Sequence, residues 1–475
     1  MIQIDEFSGR NIAILGLGRT GLAAAKSLIA GGAGVLAWDD GEAQRAEAEA
    51  AGISIVDLCR RDLSDLAALV LSPGIPPFDL PEPHHAVTLA RACDVPIIND
   101  VELFGRAMNA LPAEDRPKLV GITGTNGKST TTALVTHILQ SAHLNAICGG
   151  NIGRACLDLP ALSRGQVIVL ELSSYQLEIA DHLRCDVALL LNLSPDHLDR
   201  HGDMAGYQQA KVRIFKNQQQ GDMAIVGVDD TEGDAILADL EEGPQSLCAV
   251  SASRALSHGI YVLGGKLVDA SGDAPVEIAD LSQAPGLRGQ HNWQNAAAAY
   301  AIARHLAVSP ERIAEGLYSF KGLAHRMELL GQMGNILFVN DSKATNGAAA
   351  ARAVSSYSNV YWIGGGLAKE DGLDAILPHA GNIRKAFLIG KAAPDFGTAL
   401  KGHCPTQQCK TLERAFVAAL KAAAVGGDPE AVILLSPACA SFDQFDSFEA
   451  RGEAFAILVE AALSAFVKPA PGMSS

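Results

Sequence analysis

Short apolar runs, each closed by a Gly-rich or polar turn, recur along the whole chain. Asn11-Ile12-Ala13-Ile14-Leu15 reads as a buried strand, and an Ala-rich helix from Leu22 to Ala30 follows its Gly-rich turn. Val35-Leu36-Ala37-Trp38 and Leu69-Val70-Leu71 read as further strands, the latter ending at Ser72-Pro73-Gly74. Strand and helix alternating at this spacing predict a parallel sheet. The polar stretch Leu111-Pro112-Ala113-Glu114-Asp115-Arg116-Pro117 reads as a linker. The pattern then restarts with the strands 118–122, 167–170 and 187–191 and a long helix from Asn295 to about Leu306. The stretch from Val226 to Gly286, rich in Gly and Asp, shows no clear period. A third start near Gly322 brings strands at 336–339, 360–363, 386–389 and 431–435, and the tail Lys468–Ser475 reads as loose. The expected fold is α/β in three domains: Rossmann-like over 1–112, a central P-loop mononucleotide-binding domain over 113–320, and Rossmann-like again over 321–475. Ligands in such sheets sit at the carboxyl ends of the strands.

Composition narrows the classes. A chain of 475 residues allows two to four domains. Its formal net charge of -16 argues against a surface built for nucleic acid or an anionic membrane, though a few local cations still suffice for a small anion. The start Met1-Ile2-Gln3-Ile4-Asp5-Glu6 has neither the basic region nor the apolar core of a signal peptide. No apolar run reaches the ~18–20 residues of a membrane span. The nine Cys are scattered, and Cys404 with Cys409 finds no second pair to complete a zinc site. A cytoplasmic monomer without nucleic-acid partners is expected.

The sharpest chemical signal is Gly121-Ile122-Thr123-Gly124-Thr125-Asn126-Gly127-Lys128-Ser129-Thr130, between a strand and a helix starting near Thr130. Glycines let successive backbone N–H groups converge on phosphate oxygens, and the helix N-terminus adds its positive end. Lys128 suits the terminal phosphates, and the Ser129 hydroxyl suits Mg²⁺. Gly16-Leu17-Gly18-Arg19-Thr20-Gly21, with Asp39 and Asp40 downstream, fits a dinucleotide fingerprint. Taken alone, that loop admits NAD, FAD or any phosphate-bearing nucleotide. Glu171 ends one apolar strand, and the run Asn192 to Asp199 containing His197 follows the next. Both should emerge beside the phosphate loop, where a carboxylate and an imidazole can hold a cation on ATP phosphates. Periodicity alone reads Lys211 as a solvated helix lysine, and Asn292 as a helix N-cap three residues before Asn295. Asp341-Ser342-Lys343-Ala344-Thr345-Asn346 and the run Ser436 to Asp443 follow strands of the third segment, leaving polar or small residues at a strand end.

In this order the motifs resemble the Mur ligases of bacterial cell-wall synthesis, over essentially the whole chain. Within that family the resemblance is strongest to the members that add D-glutamate. It rests on 16–21, Ser72-Pro73-Gly74-Ile75, 171–178, 341–346 and 434–445. The resemblance implies an enzyme, an ATP-dependent ligase that joins D-glutamate to UDP-N-acetylmuramoyl-L-alanine through an acyl phosphate, with two Mg²⁺ ions. It implies an ATP site of Gly124, Thr125, Asn126, Gly127, Lys128, Ser129, Thr130, Asn292, Asn295, Arg326 and Asp341. Ser129, Glu171 and His197 become metal ligands, and Lys211 a carbamylated lysine. Catalytic roles fall to Lys128, His197, Lys211 and Lys343. Gly18, Arg19, Thr20, Ser72 and Asn151 belong to the UDP-substrate site, and Lys343, Thr345, Lys369, Ser441 and Phe448 to the D-glutamate site. The chain departs from some members at Asp39-Asp40-Gly41, where they carry Thr and Arg beside the uracil nucleotide.

Overall fold

The computed structural model describes residues 1–78, 82–287, 289–368 and 372–467, so Lys369 and the tail from Lys468 lie outside the described residues. The chain is a mixed α/β protein with three sheets. The first sheet has the order β3-β2-β1-β4-β5, from β1 (Asn11–Leu15), β2 (Gly34–Trp38), β3 (Ser54–Ile55), β4 (Leu66–Leu71) and β5 (Ile97–Asn99). All its pairings are parallel.

The second sheet runs β14-β13-β12-β11-β10-β9-β6-β8-β7. Its parallel part comprises β6 (Lys118–Thr123), β7 (Asn145–Gly150), β8 (Gln166–Glu171), β9 (Val187–Leu190), β10 (Met223–Gly227), β11 (Ser246–Ser251) and β12 (Ile260–Leu263). Two antiparallel strands, β13 (Lys266–Asp269) and β14 (Val276–Asp280), close one edge. They lie in the stretch whose sequence shows no period, because only Leu267 of β13 and Ala279 of β14 are buried. Every residue of β8 and β9 is buried, as expected for parallel strands covered on both faces.

The third sheet runs β15-β16-β20-β17-β18-β19. Its strands are β15 (Glu328–Met333), β16 (Ile336–Asn340), β17 (Val360–Gly365), β18 (Ile383–Ile389), β19 (Thr406–Lys410) and β20 (Ala431–Leu435). Only β15 is antiparallel to its neighbour.

The chain divides into two compact units. One is Met1–Gln283 with Gln290–Tyr318, and the other is Ala284–Gly289 with the chain from Ser319 onward. In the first unit the apolar faces of the first two sheets join one core, which contains Ile12, Val70 and Phe104 together with Leu119, Leu170 and Leu190. The stretch read as a linker is a tight connection here: Asp115 N–H and Arg116 N–H both donate to Pro112 O between the helix Asp100–Ala110 and β6. No described helix is long and apolar enough to cross a membrane.

Candidate active site

β6 delivers the phosphate loop, which turns at two positive-φ glycines, Gly124 at 144° and Gly127 at 82°, into the helix Lys128–Ser141. A Cβ on Gly127 would stand 2.3 Å from Asn295 Oδ1 and 2.6 Å from Leu191 Cδ2, so glycine is required by space as well as by φ. The loop is held from the next strand: Thr125 N–H donates to Asn192 O (2.9 Å) and Asn126 N–H to Asn192 Oδ1 (2.9 Å). Lys128 Nζ lies over the loop, 2.8 Å from both Gly124 O and Thr125 O. Ser129 is buried in the first helical turn, and Thr130 is half-buried beside it. Asn295 Oδ1 accepts from Thr131 Oγ1 (3.2 Å), and its Nδ2 donates to Asn292 Oδ1 (3.1 Å). The helix carrying both asparagines starts at Gln290. Asn292 therefore stands within its first turn and is not the N-cap that the sequence suggests. Sequence reading missed the brace behind the loop: Asn192 Nδ2 donates to Gln294 Oε1, and Gln294 Nε2 to Asp229 Oδ2, both at 2.9 Å. Asn192 opens the polar run after β9, the one signal that could have found it.

β8 and β9 flank β6 on either side, so Glu171 and the His197 loop emerge beside the phosphate loop as the strand pattern predicts. Glu171 is buried; its Oε1 accepts from Asn151 Nδ2 at 2.8 Å, while Oε2 has no hydrogen-bond partner among the described residues. His197 sits in the left-handed region (φ 54°), with Nδ1 3.1 Å from Tyr175 OH and Nε2 3.5 Å from Asp196 Oδ2. Among the described residues no three His, Cys, Asp or Glu side chains gather as a metal cluster. Glu171 Oε2, a buried carboxylate oxygen without a partner among the described residues, is the kind of ligand that suits a hard cation.

Lys211 corrects the surface reading. It lies on the helix Met204–Val212 and is 1% exposed. Its Nζ donates to Gly124 O (2.8 Å) and Thr123 Oγ1 (3.4 Å), and lies 4.7 Å from the Tyr207 ring centroid. Tyr207 OH in turn lies 3.1 Å from Thr125 Oγ1. Burial, and then the Lys128 charge, push the Lys211 ammonium down from 10.5 to about 7, against the pull of Asp196 and Glu171. Between about pH 7 and 10.5 the unfolded chain holds a proton that the folded chain has released, so stability rises with pH across that window, by at most ~1.4 kcal/mol per unit. In CO₂-free buffer, Lys211→Met should melt above the unaltered protein at pH 7, and the gap should shrink by pH 9.5. A gap independent of pH would count against a strained ammonium.

The nucleotide-like turn of the first sheet is built as its glycines predict. Gly16 has φ 90°, and a Cβ on Gly21 would stand 1.9 Å from Gly16 O. Ser72 Oγ donates to Gly16 O at 2.8 Å. Asp39, placed by the sequence to meet a ribose, spends its carboxylate on the turn itself, accepting from Leu17 N–H (2.6 Å) and Gly41 N–H (2.8 Å). Asp40 faces Trp38 Nε1 (3.2 Å) and His84 Nε2 (3.4 Å). Arg19 reaches across to the loop after β7 and donates to Gly153 O (2.5 Å) and Asn151 O (3.2 Å). Gly18 is exposed and Thr20 half-buried at the start of the helix Arg19–Ala30.

In the second unit, the loops after β16 and β20 meet. Asp341 accepts from Ser436 Oγ (2.7 Å) and Met327 N–H (3.2 Å), and burial pushes its carboxyl up to about 7, opposed by the nearby Arg326 charge. Lys343 Nζ lies 5.7 Å from the Phe448 ring centroid. Thr345 N–H donates to Lys343 O, and Ser441 is buried in the facing loop. Lys343, Thr345, Ser441 and Phe448 thus belong to one loop cluster. The residue that ties it together went unread: Arg451 is buried, donates to Ser342 Oγ (2.9 Å), Ser342 O (2.8 Å) and Cys439 O (3.1 Å), and so joins the two loops. Nothing near it in sequence marks it, because it lies one helical turn inside an apolar helix.

A phosphate loop on a parallel sheet, with further α/β sheets before and after it, defines a nucleotide-binding α/β protein. The family model described as the Mur ligase middle domain matches residues 122–303. UDP-N-acetylmuramoylalanine–D-glutamate ligase of Caulobacter sp. (strain K31) is 51% identical over 471 residues, 99% of this chain and 99% of that protein. The protein of the same name from Caulobacter vibrioides (strain NA1000 / CB15N) is 52% identical over 456 residues, 96% of each. The fold is shared by UDP-N-acetylmuramate–alanine ligase from Thermotoga maritima, with TM-score 0.54 and 18% identity over 96% of this chain and 99% of that one. The chain belongs to the Mur ligases, in the family of UDP-N-acetylmuramoylalanine–D-glutamate ligases.

Proposed function

We propose that this protein is an ATP-dependent ligase that adds D-glutamate to UDP-N-acetylmuramoyl-L-alanine in peptidoglycan precursor synthesis. The observation that carries the reading is identity of about half of all positions along the full length with ligases of that name. The geometry supplies its chemistry. A carboxylate is a poor electrophile until an oxygen is made a leaving group. The L-alanyl carboxylate attacks the γ-phosphorus of ATP, ADP leaves, and an acyl phosphate forms. Lys128 and the loop amides face the charge developed in that step. The D-glutamate amine then attacks the acyl carbon, and phosphate departs as the amide forms.

Glu171, with its unpartnered Oε2, His197 and Ser129 would hold Mg²⁺, two ions in all, and the metal would supply charge neutralisation to the triphosphate. Lys211, at about 7, is part unprotonated near neutrality, the form that adds CO₂ to give a carbamate anion able to orient a cation. Asn292 and Asn295, beside the phosphate loop, complete the ATP site of the first unit. The UDP group takes Gly18, Arg19, Thr20, Ser72 and Asn151. D-glutamate takes Lys343, Thr345, Lys369, Ser441 and Phe448, with Lys343 acting by point charge and the 436–441 loop by backbone N–H. The reading takes the protein to work as a monomer in the cytoplasm. The fingerprint at 16–21 serves UDP in this reading, with the Asp39 carboxylate bracing the turn through two backbone N–H groups.

The test is ADP release, which should require both UDP-N-acetylmuramoyl-L-alanine and D-glutamate. ADP formed equally well with L-lysine or with a folate in their place would refute the assignment.

A further inference from the structure

One turn beyond His197 lies a buried charged cluster that the steps above do not use. Arg200 is 7% exposed. Its Nε and NH2 donate to both oxygens of Glu178, at 3.2 and 2.9 Å, and NH2 also donates to Ile75 O at 3.2 Å. Glu178 Oε1 lies 3.2 Å from His201 Nδ1, and His201 Nε2 lies 3.0 Å from Ser174 Oγ. The Arg200 guanidinium lies 4.7 Å from the Tyr175 ring centroid, and Tyr175 OH is the group 3.1 Å from His197 Nδ1.

Ile75 belongs to the turn after β4. Its N–H donates to Ser72 O (3.0 Å), and Ser72 Oγ donates to Gly16 O in the nucleotide-like turn. One guanidinium therefore grips the loop that Ser72 keys to the sugar-nucleotide side and the segment that orients His197 on the phosphate side. A buried ion pair adds little net stability over apolar side chains of the same volume. Its planar fork, which fixes two loops at one separation, is what a lysine or an apolar residue does not reproduce.

We propose that Arg200 is a positioning residue for the ligation: it sets the Ser72–Ile75 loop against the His197 loop, so that the sugar-nucleotide carboxylate meets the phosphate site at reacting distance. This rests on the reaction proposed above.

The test uses Arg200→Lys and the paired variant Glu178→Met/Arg200→Met, which removes both buried charges together. Kinetics for each substrate are accompanied by calorimetric titration with ATP and by melting curves. The kcat/KM for the sugar nucleotide should fall about 10- to 100-fold in both variants, the loss expected when a reacting group is displaced by about an ångström. The Kd for ATP and the KM for D-glutamate should stay within about twofold. A Kd for ATP or a KM for D-glutamate that rises as much as kcat/KM for the sugar nucleotide falls, or an unchanged kcat/KM for the sugar nucleotide, overturns the proposal. Loss of a cooperative melt in both variants overturns it too, since Arg200 would then serve folding alone. The unaltered protein is run in parallel: if it releases no ADP with D-glutamate, the reaction itself is misassigned, whereas normal turnover with unaffected variants refutes only the role of Arg200.

Discussion

Lys128→Ala should lower ADP formation by about a thousandfold or more, equivalent to ~4 kcal/mol of barrier. The scale follows from where the charge sits. Lys128 is the first residue of the helix Lys128–Ser141, and its Nζ is held at 2.8 Å by two carbonyls of the loop that wraps the phosphates. In the proposed reaction it is the cation that meets charge spreading over the γ-phosphoryl oxygens. Removing a single neutral donor from such a site costs ~10²–10³ in rate, and a full charge on a phosphoryl group costs more. The fold should survive, since the side chain is only half-buried and the loop keeps its bonds to Asn192. A coupled ADP assay with a melting curve measures both. A variant that keeps a tenth of the activity would mean that the backbone amides and metal ions carry the step without the lysine.

Lys211→Ala should lower turnover by about a hundredfold or more and regain part of it in short carboxylic acids such as formate or acetate. A fully enclosed amine beside Lys128, pushed down to about 7, is a poor structural cation and a good carbon dioxide acceptor. The ammonium first gives up one proton; the free amine nitrogen then bonds to the carbon of CO₂ and a second proton leaves, so the site changes from cationic to anionic. A small carboxylate entering the space left by the alanine restores the sign and approximate position of that charge. A lysine that acts only through its bonds to Gly124 O and Thr123 Oγ1 would not be rescued by an anion. In ¹³C-bicarbonate the unaltered protein should show a carbamate carbon resonance that Lys211→Ala lacks.

How much of the site was legible differs from residue to residue. The glycines at 124 and 127 could be read because a tight phosphate turn admits no other residue, and the structure gives both positive φ. Glu171 and His197 could be read because each follows a continuous apolar run, and a polar group at the end of a parallel strand faces the ligand edge. Lys211 could not be read from the periodicity of its helix, since its partners are carbonyl and hydroxyl groups some 87 residues earlier. Arg451 and Arg200 escaped for the same reason. Each serves loops distant in sequence, and an arginine inside a helix looks solvated until its neighbours are known. Arg19 and Asp39 were legible as members of the turn but not in their duties, because which backbone groups they meet depends on how the loop after β7 and the strand β2 pack against that turn.

The sequence by itself determined the class of fold and the place of the phosphate loop. Apolar runs of strand length, Gly-Lys-Ser at a strand–helix junction and the order of the motifs are local properties that need no partner to be recognised. Tertiary structure alone decided the state of the charges. It buried Lys211 and lowered its proton affinity, left one oxygen of Glu171 without a partner among the described residues, placed Asn192 under the loop, and gave Arg200 and Arg451 two loops each to hold. The physical reason is that solvation and Coulomb energy depend on distances between groups far apart in the chain, and a linear pattern carries no such distances.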